Sequence, residues 1–417
     1  MTHSRRDFLL GGLSTGAAIP LLQGSLWGMA DNIASSGKTL VVIQVDGGWD
    51  YFNQIVPGYS PEYYAARPDI GIPDKVGSTL PIAKSVAEKW PVFAKPWKDL
   101  YDRGDLAVLN NVGYPNPNLS HFQSQARWGS ASPGTDGWLA NYLRKAYRGP
   151  QTIPALEVSM VTAAAFEGAR VPLIGLGPSL LGFQTDPRTP ADNKVEVLAL
   201  EAAASTPRSG AANLLYTTNV MRHTFGIISL LRNAARYHRP RVQYPFDRMI
   251  TPFVLRIAGL IAQGFPSHVI YLRLGSFDDH AKLADKGGTT GKFAHRLGSL
   301  AGNIKAFLDD MKAYGKSNEV VVLVHSEFSR RFGQNGSIGT DHGHGGVAYL
   351  AGAPVRGGWH GKYPDLTKAT KPYADWYPDF GKDSIDYRRL YATVLEKWLG
   401  VSSKLVLGAT YPTLPIL

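Results

Sequence analysis

Cysteine is absent from all 417 residues. That excludes disulfides, thiolate metal sites and a cysteine nucleophile, so any bound metal must take its ligands from His, Asp, Glu or backbone oxygen. Beyond residue 30 no segment is apolar enough to span a membrane. Gly 45 and Pro 28 exceed average usage slightly but follow no repeat, which excludes a collagenous or low-complexity chain and points to a loop-rich fold. Acidic residues are the minority, 33 against 44 Lys+Arg, for a formal net charge of +11. Such an excess favours anionic substrates, cell-envelope polymers or lipid head groups without fixing fold or specificity. The densest basic run, Arg232, Arg236, His238, Arg239 and Arg241, reads as a solvated helix end. No nucleic-acid recognition motif is present. What remains is 44% hydrophobic and 11% aromatic residues, enough for one large globular domain or two modest ones.

The N-terminus reads as an address. Ser4-Arg5-Arg6-Asp7-Phe8-Leu9 places two arginines before an apolar stretch, Phe8 to Trp27, diluted by Gly11, Gly12, Ser14, Gly16 and Gln23. This is the pattern of a twin-arginine export signal, with small residues around Gly28-Met29-Ala30 for cleavage. Residues 1–30 are therefore expected to be a signal peptide handled by the twin-arginine translocon, and the mature chain to be periplasmic or extracellular. Loss of Arg5, Arg6 and Asp7 with the leader would leave the mature protein basic. The match Gly12-Leu13-Ser14-Thr15-Gly16 to a serine-hydrolase elbow falls inside this leader and is fortuitous. Gly175-Leu176-Gly177 lacks the third glycine of a dinucleotide fingerprint.

Four short apolar, β-branched runs each end in polar chemistry. Thr39–Val45 is followed by Asp46 and Asp50, and Leu106–Asn110 by a Pro- and Asn-rich loop to Ser120 and His121. His268–Leu274 precedes Asp278 and His280, and Glu319–Val324 precedes Glu327. Between the third and fourth runs, Phe293, Leu297, Leu300, Ile304, Phe307 and Met311 recur at helical spacing. Strand, long helix and strand of continuous apolar character make a βαβ unit with parallel strands. The expected fold is a three-layer α/β/α sandwich on a mostly parallel sheet over residues 31–417, with one site along the carboxyl edge of the strands. The stretch from about 150 to 265, with its Ala- and Leu-rich patches and a helical pattern at Asn213–Tyr237, reads as a helical insertion or cap.

The polar residues on that edge form a coherent list. Asp46, Asp50, Asp278, His280, Glu327, Asp341, His342 and His344 are carboxylates and imidazoles, which suit Zn or Mn, or Mg or Ca. Carboxylates gathered together need a cation to neutralise them. Asp341-His342-Gly343-His344 is the most specific element, because two imidazoles and a carboxylate within four residues rarely serve packing. Taken singly, Asp46 and Asp50 also fit turn residues, and Ser120 with His121 fits a helix cap.

Gly47-Gly48-Trp49-Asp50, Ser120-His121-Phe122 with Gln125, Gly137-Trp138-Leu139, Phe277-Asp278-Asp279-His280, Ser326-Glu327-Phe328-Ser329-Arg330 and Gly339-Thr340-Asp341-His342-Gly343 together resemble the DUF1501 proteins. These are bacterial proteins typically exported by the twin-arginine route and placed in the alkaline phosphatase-like superfamily. The resemblance implies that fold and a metal-dependent hydrolase of phosphate or sulfate esters, with a serine nucleophile or a metal-activated water. Ser120 would be the nucleophile beside His121. Asp278 and His280 would share one ion with His342 or His344, and Asp46 or Asp50 with Glu327 would hold another. Arg330 or Arg331 would neutralise the substrate anion, an ester or an anionic envelope polymer. One departure stands out: Ser326-Glu327-Phe328 lacks the Asp-His or Asp-Asn pair common in the superfamily after the fourth strand. A site with one ion, or a non-catalytic binding or assembly protein on the same fold, is the alternative it raises.

Overall fold

The computed structural model describes residues 37–131, 135–146, 155–158, 162–169, 174–176, 202, 238–265 and 267–417. The expected leader at 1–30 and the helical pattern at 213–237 lie outside the described residues.

Eleven strands occur among the described residues: β1 (Thr39–Val45), β2 (Thr79–Ala83), β3 (Val86–Pro91), β4 (Leu106–Gly113), β5 (Ala155–Val158), β6 (Ile174–Leu176), β7 (Val269–Leu274), β8 (Val320–Ser326), β9 (Gly346–Ala351), β10 (Gly358–His360) and β11 (Ile385–Asp386). The helices are α1 (Pro61–Ala66), α2 (Lys95–Asp102), α3 (His121–Ser130), α4 (Trp138–Ala146), α5 (Thr251–Ala262), α6 (Lys292–Ala313), α7 (Tyr387–Thr393) and α8 (Ser403–Leu407). β2 and β3 form a small antiparallel hairpin, and the other nine strands make the central sheet in the order β10-β4-β9-β8-β1-β7-β5-β6, with β11 also on β4. Every pairing in that sheet is parallel except those of β9 with β4 and β8.

Alternation along the strands explains the layers. Val41, Ile43 and Val45 of β1, with Ile270, Leu272 and Leu274 of β7 and Val320, Val322 and Val324 of β8, face one core filled by α1, α2, α5 and α6. Leu40 and Val42, Val269 and Tyr271, and Val321 and Leu323 face the other, against α3, α4, α7 and α8. Both faces are covered, so the strands read as continuous apolar runs, as expected of buried parallel strands. The mixed α/β fold with a large, mostly parallel sheet is as the sequence predicts. The stretch 150–265 differs from expectation in one respect, since β5 and β6 lie within it and join the central sheet.

β1 ends at Val45, β7 at Leu274 and β8 at Ser326 in register with one another, so the residues that follow them meet at one edge. β9 runs the other way, so its amino end lies at that edge too. The residues entering β9, Asp341 to His344, therefore reach the place that residues leaving the other strands reach.

Candidate metal centre

Three imidazoles converge with one carboxylate at this edge. His121 opens α3, His280 follows β7, and His342 precedes β9. Ligand atoms of His121, Asp278 and His342 all lie within 4.8 Å of one another. His280 Nε2 lies 2.8 Å from His342 Nε2 and 3.1 Å from Asp278 Oδ1.

Each imidazole is oriented by an acceptor on its far nitrogen. His121 Nδ1 meets Glu327 Oε1 at 2.6 Å, His280 Nδ1 meets Asp341 Oδ1 at 2.8 Å, and His342 Nδ1 meets the Leu119 carbonyl at 2.6 Å. A carbonyl only accepts, so His342 Nδ1 carries hydrogen, and the two carboxylates ask the same of the other rings. In the neutral imidazole that leaves a lone pair on every Nε2. Two such lone pairs face each other across 2.8 Å between His280 and His342, a repulsive contact unless a proton or a cation lies between them. His121 Nε2 is buried with no hydrogen-bond partner, 3.6 Å from Asp278 Oδ2. An orphaned buried nitrogen costs about 1–3 kcal/mol. Acceptor-anchored imidazoles with free inward nitrogens, beside a carboxylate, fit a divalent cation of the Zn or Mn type. Burial pushes the His342 imidazole below its ordinary value, with Arg330 and the other histidines adding to the effect, so it favours the neutral, ligating form.

The carboxylates divide into two groups. Asp278, half-exposed, is raised by burial but held below the usual carboxylate range by Arg330, His121 and His280. Asp341 is likewise held low by His280 and Asn335 against the effect of burial. Glu327 is buried, yet His121, the Gly47 N–H and the Ser326 hydroxyl keep it ionised and low. Gly47 reaches this carboxylate from a left-handed φ of +117°, and a Cβ there would stand 2.4 Å from the Asp278 nitrogen.

Several predicted residues do other work. Asp50 is buried in a two-pronged pair with Arg67, Nη1 to Oδ1 at 2.9 Å and Nη2 to Oδ2 at 2.8 Å, and also accepts from the Asn53 N–H. Asp46 accepts from Arg273 and Gln44. Among the described residues, the group of mutually close ligand atoms is His121, Asp278 and His342, without Asp46, Asp50 or Glu327. His344 Nε2 donates to the Tyr114 carbonyl at 2.9 Å, its ring packs edge-on against Tyr114 and Phe380, and burial pushes it down to about 4. Arg330 is wholly buried. Its Nε bonds the Gly48 carbonyl at 2.7 Å, Nη1 the Thr340 carbonyl at 2.8 Å, and Nη2 both the Gly47 carbonyl and Asp278 Oδ1. It ties three loops together and has little left for a substrate. Ser120 is the N-cap of α3 by position, but its hydroxyl makes no capping bond. It stands between Leu119 and His121, two residues that fix the cluster.

Residues 329–331 and 341–344 form a miniature ladder. Arg330 and His342 pair as an antiparallel bridge, flanked by Arg331 N to Asp341 O at 2.9 Å, Gly343 N to Ser329 O at 2.8 Å and Ser329 N to His344 O at 2.6 Å. A Cβ on Gly343 would lie 2.5 Å from the Arg330 carbonyl carbon, so only glycine permits this approach. Arg67, Arg273 and the Leu119 carbonyl escape sequence reasoning. Arg273 left one signal, a lone charge near the end of an otherwise apolar strand.

Among known proteins, residues 259–408 match the family model described as "Protein of unknown function (DUF1501)". No curated protein matches the chain. Solved structures similar to it include the lipoteichoic acid synthase LtaP from Listeria monocytogenes, at 7% identity, covering 91% of this chain and 78% of that one with a TM-score of 0.35. The soluble domain of lipooligosaccharide phosphoethanolamine transferase A from Neisseria meningitidis is 10% identical, covers 91% and 95%, and has a TM-score of 0.33. Thermus thermophilus alkaline phosphatase is 12% identical, covers 76% and 64%, and has a TM-score of 0.27. At these values the likenesses carry no argument about what this chain does.

Proposed function

We propose that the protein is an exported, metal-dependent hydrolase of phosphate or sulfate esters that works with one divalent ion. The observation that carries this reading is the convergence of three acceptor-anchored imidazoles on Asp278, with two Nε2 atoms 2.8 Å apart and a third buried without a partner. His121, Asp278, His280 and His342 would hold the ion, and Zn or Mn suits that donor set. Bound there, the ion would supply Lewis acidity toward an ester oxygen.

The chain's own residues do the rest. Ser120 offers a hydroxyl not spent on capping α3. Its oxygen attacks phosphorus or sulfur, the alcohol departs with a proton, and water then displaces the serine to release the free acid. Glu327 and Asp341 keep two rings turned inward, and Arg330 holds Asp278 in place. The expected twin-arginine leader, and the basic excess that remains once Arg5, Arg6 and Asp7 are lost with it, agree with an anionic ester or envelope polymer met outside the cytoplasm. Among the described residues no helix is long and apolar enough to cross a membrane.

A second reading has one observation in its favour. Asp46, Asp50 and Glu327 are all neutralised by protein donors, as in a scaffold that keeps an ion for structure while binding a partner. The deciding experiment measures elements by mass spectrometry on the purified mature protein and then hydrolysis of p-nitrophenyl phosphate and p-nitrophenyl sulfate by wild type and Ser120→Ala. One equivalent of metal with serine-dependent turnover is expected. Metal without turnover on any ester would leave the binding reading standing, and unchanged turnover in Ser120→Ala would shift attack to water.

A further inference from the structure

Arg330 and Arg273 each pair with a carboxylate at this edge of the sheet, and they differ in what is left over. Arg330 has four hydrogen bonds and no exposed side-chain surface. Arg273, the penultimate residue of β7, keeps 19% of its side chain exposed. Its Nε and Nη2 reach Asp46 Oδ2 at 3.0 and 2.6 Å, and Nη2 lies 3.4 Å from Gln125 Oε1. Its Nη1 has no partner among the described residues.

The surroundings of this guanidinium are those a second cation would need. Asp46 gives Oδ2 to Arg273 and Oδ1 to Gln44 Nε2 at 2.5 Å. Gln125 sits one helical turn after His121, and its Nε2 lies 3.5 Å from Glu327 Oε1, so the contacts run from Arg273 to the carboxylate that orients His121. Buried Glu157 in β5 lies near enough for Arg273 to pull against the rise that burial imposes on its carboxyl. A guanidinium is permanently charged, weakly hydrated and forked, which suits both a carboxylate on one edge and a phosphate or sulfate oxygen on the other.

We propose that Arg273 takes the place of a second metal ion: it neutralises Asp46 permanently, limits the protein to one divalent ion, and binds an anionic oxygen of the ester through its free Nη1 edge. The inference rests on the reading of the imidazole cluster as a metal site, and adds the ion count and the receptor for the anion.

The test uses the mature protein purified with its ion, with elemental content measured and inorganic phosphate or sulfate titrated in by calorimetry, on wild type, R273Q, R273K and D46N. One equivalent of metal is expected in wild type, R273K and D46N, and more than one in R273Q, where Asp46 is left without its resident cation. R273Q weakens phosphate binding on the order of tenfold or more, R273K less, and D46N, which frees Arg273 from its partner, tightens it. If the pair were merely structural, R273Q and D46N would shift phosphate affinity in the same direction, and the proposal falls. Two equivalents of metal in wild type, or loss of metal in D46N, would overturn it while leaving a metal site standing. No metal and no anion binding in wild type would remove the metal reading, and this inference with it.

Discussion

Among the described residues, two buried carboxylates each pair with a histidine, one just before β8 and one just after it. Asp310, in the last turn of α6, accepts from His238 Nε2 at 2.9 Å, the Tyr244 hydroxyl at 3.0 Å and the Arg241 N–H at 2.8 Å. Glu327 accepts from His121 Nδ1, the Gly47 N–H and the Ser326 hydroxyl. The carboxylates are equally satisfied, but the far nitrogens of the two rings are not alike. Both are buried without a hydrogen-bond partner, but the His238 ring packs against Tyr314, whereas His121 Nε2 lies 3.6 Å from Asp278 Oδ2 and its ring beside a second imidazole. The first pair pins the chain around 238–244 to α6. The second orients a ring that the proposed metal site would use. What surrounds the second nitrogen, not the pairing itself, separates a fastening from the proposed metal site.

The largest effect that would separate the two pairs is expected at the fastening. Asp310→Ala leaves a buried imidazole, a hydroxyl and an N–H without their acceptor and should cost about 4 kcal/mol of folding stability. Denaturant unfolding measures it, and metal content per folded chain should not change. An equal loss of metal would show that the two regions are not independent.

Acid provides the next test, through a histidine that belongs to neither pair. His325 is buried against Trp128, its ring nitrogens lack partners, and burial pushes it down to about 4. Its folded value lies below the unfolded one, near 6.5, so the unfolded chain takes up the proton first. Stability is then complete above that range and falls as pH drops toward 4, by about 3 kcal/mol. His325→Phe should flatten this part of the stability–pH curve; an unaltered curve would place the acid sensitivity elsewhere.

At the Glu327–His121 pair the proposed site places the effects on metal rather than on folding. His342→Ala removes a proposed ligand and should weaken metal retention by a hundredfold or more, roughly 3 kcal/mol, as read by competition with a chelator. Glu327→Gln keeps an acceptor oxygen but loses the charge that fixes the His121 tautomer, and roughly tenfold weaker retention is expected. Were Glu327→Gln to lose metal as completely as His342→Ala, the glutamate would be a ligand itself.

How far the sequence could be read follows from the distances involved. β1 coincides with the run Thr39–Val45, and α6 (Lys292–Ala313) with the helical spacing that runs from Phe293 to Met311, because both are buried regular elements whose pattern is local. β5 and β6, four and three residues long, are too short to show a period and vanish in a segment that reads as helical. The reversed direction of β9 leaves no trace in Val347–Ala351, although it is what brings His342 to the edge. At the site, the residue types were legible and their partners were not. Asp50 and Asp46 look equivalent until Arg67 claims one and Arg273 the other, from 17 and 227 residues away. His342 meets the Leu119 carbonyl through Nδ1 and leaves Nε2 to the cluster, whereas His344 spends Nε2 on the Tyr114 carbonyl, a difference the sequence does not show.

The ladder between residues 329–331 and 341–344 makes heritable change there an all-or-none affair. Because Arg330 and His342 are joined main chain to main chain across Gly343, a side chain at that glycine displaces the anchor and the ligand together. Gly336, a few residues earlier on the same loop, has open space where its Cβ would be. A randomised library across 335–343, selected for metal retention, should therefore return variety at Gly336 and glycine at Gly343. Under selection the loop would drift at its tip while its base stays fixed, so a lineage could gain new contacts at the rim without rebuilding the centre.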